Sequence, residues 1–130
     1  MPHSRAPSQR QLRVGELIRH ELALIFSRGD VVDPVVEHAG VTVTEVQMSP
    51  DLRLATAFVR PLRADGGEAL VASLERHRRF IRGLLSPRLT VKFMPEIRFR
   101  LDTAADYAER IDRLLKDPHV ARDIARREEE

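Results

Sequence analysis

The sequence predicts an α+β domain in which three β-strands form one sheet and helices cover one of its faces. Three observations predict it. Val14, Leu17, Ile18, Leu22 and Ile25 recur at helical spacing, two Val/Thr-bearing runs flank Ser49-Pro50-Asp51, and Leu89, Val91, Phe93, Ile97, Phe99 and Leu101 share one parity. With the later helical patterns the order becomes helix, strand, strand, interrupted helix, strand, helix. The apolar parity of the last strand then requires helices over one face of the sheet.

Ser8 and Gln11 have capping-box spacing, so the first helix is expected over Gln9 to Ser27. Gly29, Asp33-Pro34 and Gly40 punctuate the next stretch, which reads as a loop or short irregular turn with an exposed His38. Val41 to Met48 and Leu52 to Arg60 make an antiparallel hairpin around the proline turn. The apolar phase slips between Val43 and Val46, which fits either a bulge or burial on both sides. Ala64 to Gly67 is another loop. Glu68 opens a helical pattern through Leu70, Val71 and Leu74 that fails at Glu75-Arg76-His77-Arg78-Arg79 and resumes at Phe80, Ile81, Leu84 and Leu85. Ser86-Pro87 ends it, because proline disfavours helix in the residue before it. The last strand spans Leu89 to Leu101, with Pro95 marking a bulge or an amide-free position. Tyr107, Ala108, Ile111, Leu114 and Leu115 mark a final helix that Asp117-Pro118 stops.

A chain of 130 residues suits one domain, and 42% hydrophobic against 5% aromatic residues predicts an aliphatic core. There is no cysteine, which excludes disulfides and thiolate metal sites and fits a reducing, cytoplasmic setting. Met1 to Gln11 has no apolar run, so neither signal peptide nor membrane anchor is expected. Net charge is only +2, but residues 60 to 100 hold ten Lys/Arg against four Asp/Glu, and residues 102 to 130 hold six against nine. A basic middle at low net charge points to a localised polyanion-binding face.

The helix break gathers Arg76, His77, Arg78, Arg79, Arg82 and, past the proline, Arg88 in one short stretch. Guanidinium charges beside the uncapped amides of a second helical start form a phosphate-binding corner. A charge run on an unbroken helix would be an ordinary solvated face; this one falls where the apolar pattern fails. Lys92, Arg98 and Arg100 share the non-core face of the last strand, where edge-strand solubilisation explains them equally well. Arg10 and Arg13 offer a further basic face on the first helix. Catalytic patterns are lacking: His3, His20, His38, His77 and His119 are scattered, no GxGxxG or P-loop is present, and Asp102 with Asp106 reads as helix-start capping. No enzyme, metal or cofactor is expected.

Three blocks resemble the ribosome-binding factor A family: Val46 to Leu52 with Ala55, Ala57, Phe58 and Val59; Phe80-Ile81-Arg82-Gly83-Leu84-Leu85; and Leu89 through Lys92 to Met94-Pro95-Glu96-Ile97-Arg98-Phe99. The third is the most specific, and Asp33-Pro34 also fits. The resemblance covers roughly Gln9 to Leu115. It implies a type II KH-like fold (α-β-β-α-kink-α-β plus a C-terminal helix), with a helix-kink-helix in place of a GxxG loop. It also implies binding of a monomer to the free small (30S) ribosomal subunit through 16S rRNA late in maturation, support for 5′-end processing, and growth in the cold. The organisation expected is a flexible N-terminus over 1–8, an RNA-binding domain over 9–116 and a charged, flexible tail over 117–130. Relatives commonly carry a small residue, any residue and glycine where this chain has His77-Arg78-Arg79, which leaves the kink's backbone without glycine's tolerance of positive φ. Two other readings use the same residues: a KH-like regulator of messenger RNA, and an adaptor whose basic face meets an acidic protein.

Overall fold

The computed structural model describes residues 6–63 and 65–116. Helix α1 (Gln9–Ser27) starts at the predicted capping box: the Gln11 amide donates to Ser8 Oγ at 3.1 Å, and the Ser8 amide to Gln11 Oε1 at 2.9 Å. Gln11 Nε2 also donates to the Met48 carbonyl at 2.9 Å, fixing the helix start to the first strand. Strands β1 (Thr42–Met48) and β2 (Leu54–Arg60) pair antiparallel, with a register shift between Val43 and Glu45 that decides for the bulge. The turn between them closes by the Leu52 amide on the Ser49 carbonyl, and Leu52 sits at φ 61°.

Helices α3 (Gly67–Arg76) and α4 (Arg78–Leu85) form the crossover that lets β3 (Glu96–Leu101) lie parallel to β2. The sheet order is β1-β2-β3. Ile18, Leu22 and Ile25 of α1, Leu70 and Leu74 of α3, and Ile81 and Leu85 of α4 are fully buried with Ala55, Ala57 and Val59 of β2. Each large side chain so buried is worth about 1.5–3 kcal/mol. The element order is therefore the expected α+β arrangement with a three-stranded sheet, followed by α5 (Ala104–Lys116).

Two glycine- and proline-marked segments differ from the sequence reading. Residues 34–39 form a six-residue helix, α2 (Pro34–Ala39), where the sequence suggests a loop or irregular turn. Asp33 caps it through the amides of Val35 and Val36 at 2.8 and 3.3 Å, and Pro34 stands at its first position, where the missing amide costs nothing. The last strand is also half its expected length. Glu96 is the residue that pairs with Leu54, the first of β2, and its amide donates to the Arg53 carbonyl at 2.8 Å. Upstream of Glu96 no strand remains to pair with, so a 3₁₀ turn (Ser86–Arg88) and a bent loop carry the chain from α4. Phe93, expected in the core by parity, is 68% exposed, and Pro95 is buried instead.

Helix α5 also differs in how it docks. Its pattern places Tyr107, Ile111 and Leu115 on the core side, yet all three are exposed and Arg110 is buried. Arg110 packs on Phe58 of β2, with its guanidinium carbon 4.5 Å from the centre of the ring. Its Nη2 is 2.5 Å from Asp102 Oδ2, and its Nε contacts the Glu45 carboxylate. Asp102 thus holds a buried ion pair and accepts from Thr44 Oγ1, which corrects its reading as a helix-start cap. Burial pushes the Glu45 carboxyl above its ordinary range, against the pull of Arg110.

Close approach of α1 to β1 depends on Gly15. A Cβ there would lie 2.5 Å from the Val46 carbonyl oxygen, a backbone atom that cannot rotate away. Gly15→Ala gains about 1 kcal/mol of helix propensity, but overpacking of this kind costs about 1–3 kcal/mol. Net destabilisation is expected, with a lowered urea midpoint at unchanged m-value.

Candidate nucleic-acid interface

The helix interruption is a single residue. His77 has φ −98° and ψ 8°, between α3 ending at Arg76 and α4 starting at Arg78. Its amide reaches both the Ser73 and Leu74 carbonyls, at 3.2 and 3.1 Å, and its carbonyl accepts from the Ile81 amide at 2.9 Å. That conformation lies on the negative-φ side, where any L-residue can sit. The kink therefore needs no glycine, which resolves the difficulty raised by His77-Arg78-Arg79.

A side-chain contact holds the kink from outside. His77 Nε2 is 3.0 Å from Asp33 Oδ2, while Asp33 Oδ1 caps α2. One carboxylate thus joins the start of α2 to the break between α3 and α4, and Arg76 Nη2 stands 3.7 Å from it. The hydrogen bond from His77, with those from Val35 and Val36, holds the Asp33 carboxyl below its ordinary range. A depressed carboxylate pKa contributes stability that is present above the unfolded value, near 3.8, and is lost as pH falls through the folded value. Asp33→Asn is therefore expected to be less stable than wild type at neutral pH. The difference should shrink below about pH 4 in matched denaturation curves.

The structure sorts the candidate residues into five groups. Arg76, Arg78 and Arg79 are exposed around the kink, with Arg76 donating to Ser73 Oγ at 3.0 Å and Arg78 3.4 Å from Glu75, and among the described residues no side chain caps the start of α4. Phe80, expected in the core, is 53% exposed beside them. His77 is half-buried against Asp33. Arg82 and Arg88 face other duties: Arg82 donates to the Met94 and Pro95 carbonyls at 2.8 and 2.9 Å, tying α4 to the loop before β3, and Arg88 is 3.4 Å from Glu21 of α1.

Arg98 and Arg100 lie on the exposed face of β3, and Arg100 stands 5.9 Å from the Phe58 ring. Lys92 does not share that strand face, because it belongs to the loop upstream of β3. It instead lines a cleft with Arg10 and Arg13 of α1. Arg53 and Phe93, which sequence reasoning does not single out, line the same cleft. Only the exposed turn residue Arg53 carries a legible hint, since Phe93 is masked by its strand-like parity. Among the described residues there is no group of three or more His, Cys, Asp or Glu arranged to hold a metal ion, and no helix is long and apolar enough to cross a membrane.

Comparison with known proteins agrees with this architecture. The family model for ribosome-binding factor A matches residues 10–115. A ribosome-binding factor A from Chelativorans sp. (strain BNC1) is 54% identical over 131 residues, covering 100% of this chain and 97% of its own length. The crystal structure of ribosome-binding factor A from Thermus thermophilus superimposes with a TM-score of 0.59 at 21% identity, over 70% of this chain and 94% of that one. A homology model of the Thermus thermophilus factor, fitted into a cryo-EM map of its complex with the 30S subunit, matches with a TM-score of 0.53 at 22% identity, over 66% of this chain and 88% of that one. The two structural likenesses concern the fold; the match over residues 10–115 and the 54% identity concern ancestry, and by them the chain belongs to the ribosome-binding factor A family.

Proposed function

We propose that the protein is a non-enzymatic assembly factor that binds the free 30S subunit through 16S rRNA. It acts as a cytoplasmic monomer late in maturation, assists processing of the 16S 5′ end and supports growth in the cold. The observation that carries the reading is the exposed arginine triad Arg76, Arg78 and Arg79 at the uncapped start of α4, in a chain of a ribosome-binding family. Guanidinium groups and first-turn amides suit phosphate oxygens, and Phe80 adds an exposed ring for an unstacked base. Such contacts hold a folded or unpaired rRNA segment by backbone and shape, without base-by-base readout. The 30S complex of the Thermus factor supports the choice of subunit. His77 positions the triad, and the domain over 9–116 carries the binding surface.

The test is sedimentation of lysate through a sucrose gradient at low and high salt. Co-migration with free 30S particles, weakened by salt, is expected. Recovery only at the top of the gradient would contradict this reading, and recovery on messenger RNA without subunits would replace it with a regulator of messenger RNA.

A further inference from the structure

The cleft beside the start of α1 has about 560 Å³ of internal space, within the range of about 300–1,000 Å³ common to ligand sites. Its walls come from three places: the first turns of α1, the β1–β2 turn and the loop that leaves the sheet upstream of Glu96. Arg10, Arg13, Arg53 and Lys92 bring four positive charges to it, and Asp51 is the only acid among the described residues that line it. Asp51 is committed to the turn, accepting from Ser49 Oγ at 2.7 Å and the Arg53 amide at 3.1 Å. Among the described residues, no ion pair holds any of the four cations.

Two features of this cleft work against stability of the isolated protein. Arg10 and Arg13 stand near the positive end of the α1 dipole, in a helix whose first turn has no acidic residue. Phe93 exposes 68% of its surface, with Lys92 Nζ 5.6 Å from the ring centre. Among the described residues, Asp51 attracts Arg53 but no ion pair holds Arg10, Arg13 or Lys92, and most of the Phe93 ring stays exposed. An anionic partner with a flat apolar group relieves both.

We infer that this cleft is a second RNA site, which seats an unpaired nucleotide run by stacking one base on Phe93 and placing its phosphates against Arg10, Arg13, Arg53 and Lys92. It rests on the reading that the protein binds RNA, and adds to Phe80 at the kink a second stacking ring on a different face of the domain. A duplex keeps its bases stacked inside and offers phosphates only, so Phe93 discriminates between the two.

The chain contains no tryptophan, so Phe93→Trp gives a single reporter in the cleft. Titration with a short oligoadenylate is expected to quench it, whereas a duplex of equal charge leaves it nearly unchanged. In fluorescence anisotropy, Phe93→Ala should weaken oligoadenylate binding by about 5- to 150-fold while keeping the salt slope, as expected for one lost stack. Replacing Arg10, Arg13, Arg53 and Lys92 together by Gln should reduce the slope by roughly 3. All of these substituted side chains are exposed, and circular dichroism checks the fold. Wild-type affinity in Phe93→Ala, or equal quenching by duplex, would overturn the inference. The same variants are then tested on purified 30S particles. If they bind normally and the kink variants do not, the cleft fails and the proposed function stands; if wild type does not bind, the function itself fails.

Discussion

Changing Arg76, Arg78 and Arg79 together to Glu is expected to abolish 30S association and leave the fold intact. The fold should tolerate it because the apolar contacts of the kink come from Leu74, Ile81 and Leu85, all fully buried. Exposed substitutions usually cost within about 0.5 kcal/mol each; Arg76→Glu costs more, because it sets a second carboxylate beside Asp33, so urea denaturation accompanies the binding measurement. Arg82 is excluded from the set, since its guanidinium holds the Met94 and Pro95 carbonyls and its loss would confuse folding with binding. If each arginine neutralises one phosphate, the log-log salt slope should fall by about 2 for single-stranded RNA. Gln replacements should give an intermediate loss. Lys replacements should keep most of the slope but lose any bidentate contact.

The largest stability effect is expected at Arg110. Its side chain is 5% exposed, Asp102 is fully buried, and Glu45 stands on its other side. Arg110→Met leaves two carboxylates without their shared cation in a site largely closed to water. Breaking a buried ionic group in this way costs about 3–5 kcal/mol, against a total stability of about 5–15 kcal/mol. The loss should be greatest at neutral pH. Glu45 is already pushed up by burial, and a raised carboxyl favours the folded state at low pH, with the cost appearing as pH rises through its folded value. Adding Glu45→Gln and Asp102→Asn should therefore restore much of the loss. A change within about 0.5 kcal/mol in thermal or urea unfolding of Arg110→Met would show that α5 does not depend on this contact.

Much of this architecture is legible because local signals agree with the tertiary outcome. Ser8 and Gln11 mark the start of α1, the slipped phase at Val43 to Val46 becomes a bulge, and the break at Glu75 to Arg79 becomes a one-residue kink. The short helix α2 is written in Asp33-Pro34, an N-cap followed by proline, but six residues are too few for periodicity to reveal. The failures share a different cause. Phe80, Phe93, Tyr107 and Ile111 all fit an apolar pattern yet are exposed, because pattern reports what could be buried and not whether a partner surface exists. Phe93 loses its partner where β2 begins, a limit set by the pairing of Leu54 with Glu96. Arg110 is the reverse case, a cation taken into the interior by two acids distant in sequence, Glu45 and Asp102. The basic candidates are found by charge alone, which cannot separate exposed Arg76, Arg78 and Arg79 from half-buried Arg82 and Arg88, of which Arg82 holds two backbone carbonyls. The expected flexible tail and most of the N-terminus lie outside the described residues.

Ultraviolet crosslinking of the protein to purified 30S particles, followed by mass-spectrometric mapping of the peptides that carry ribonucleotides, tests the central claim most directly. RNA adducts on the segment spanning Arg76 to Phe80 are predicted, and they should disappear in the triple Glu variant. Particles that bind the protein but leave that segment free of RNA, with adducts confined to α5 or to the Arg98 and Arg100 face of β3, would contradict it.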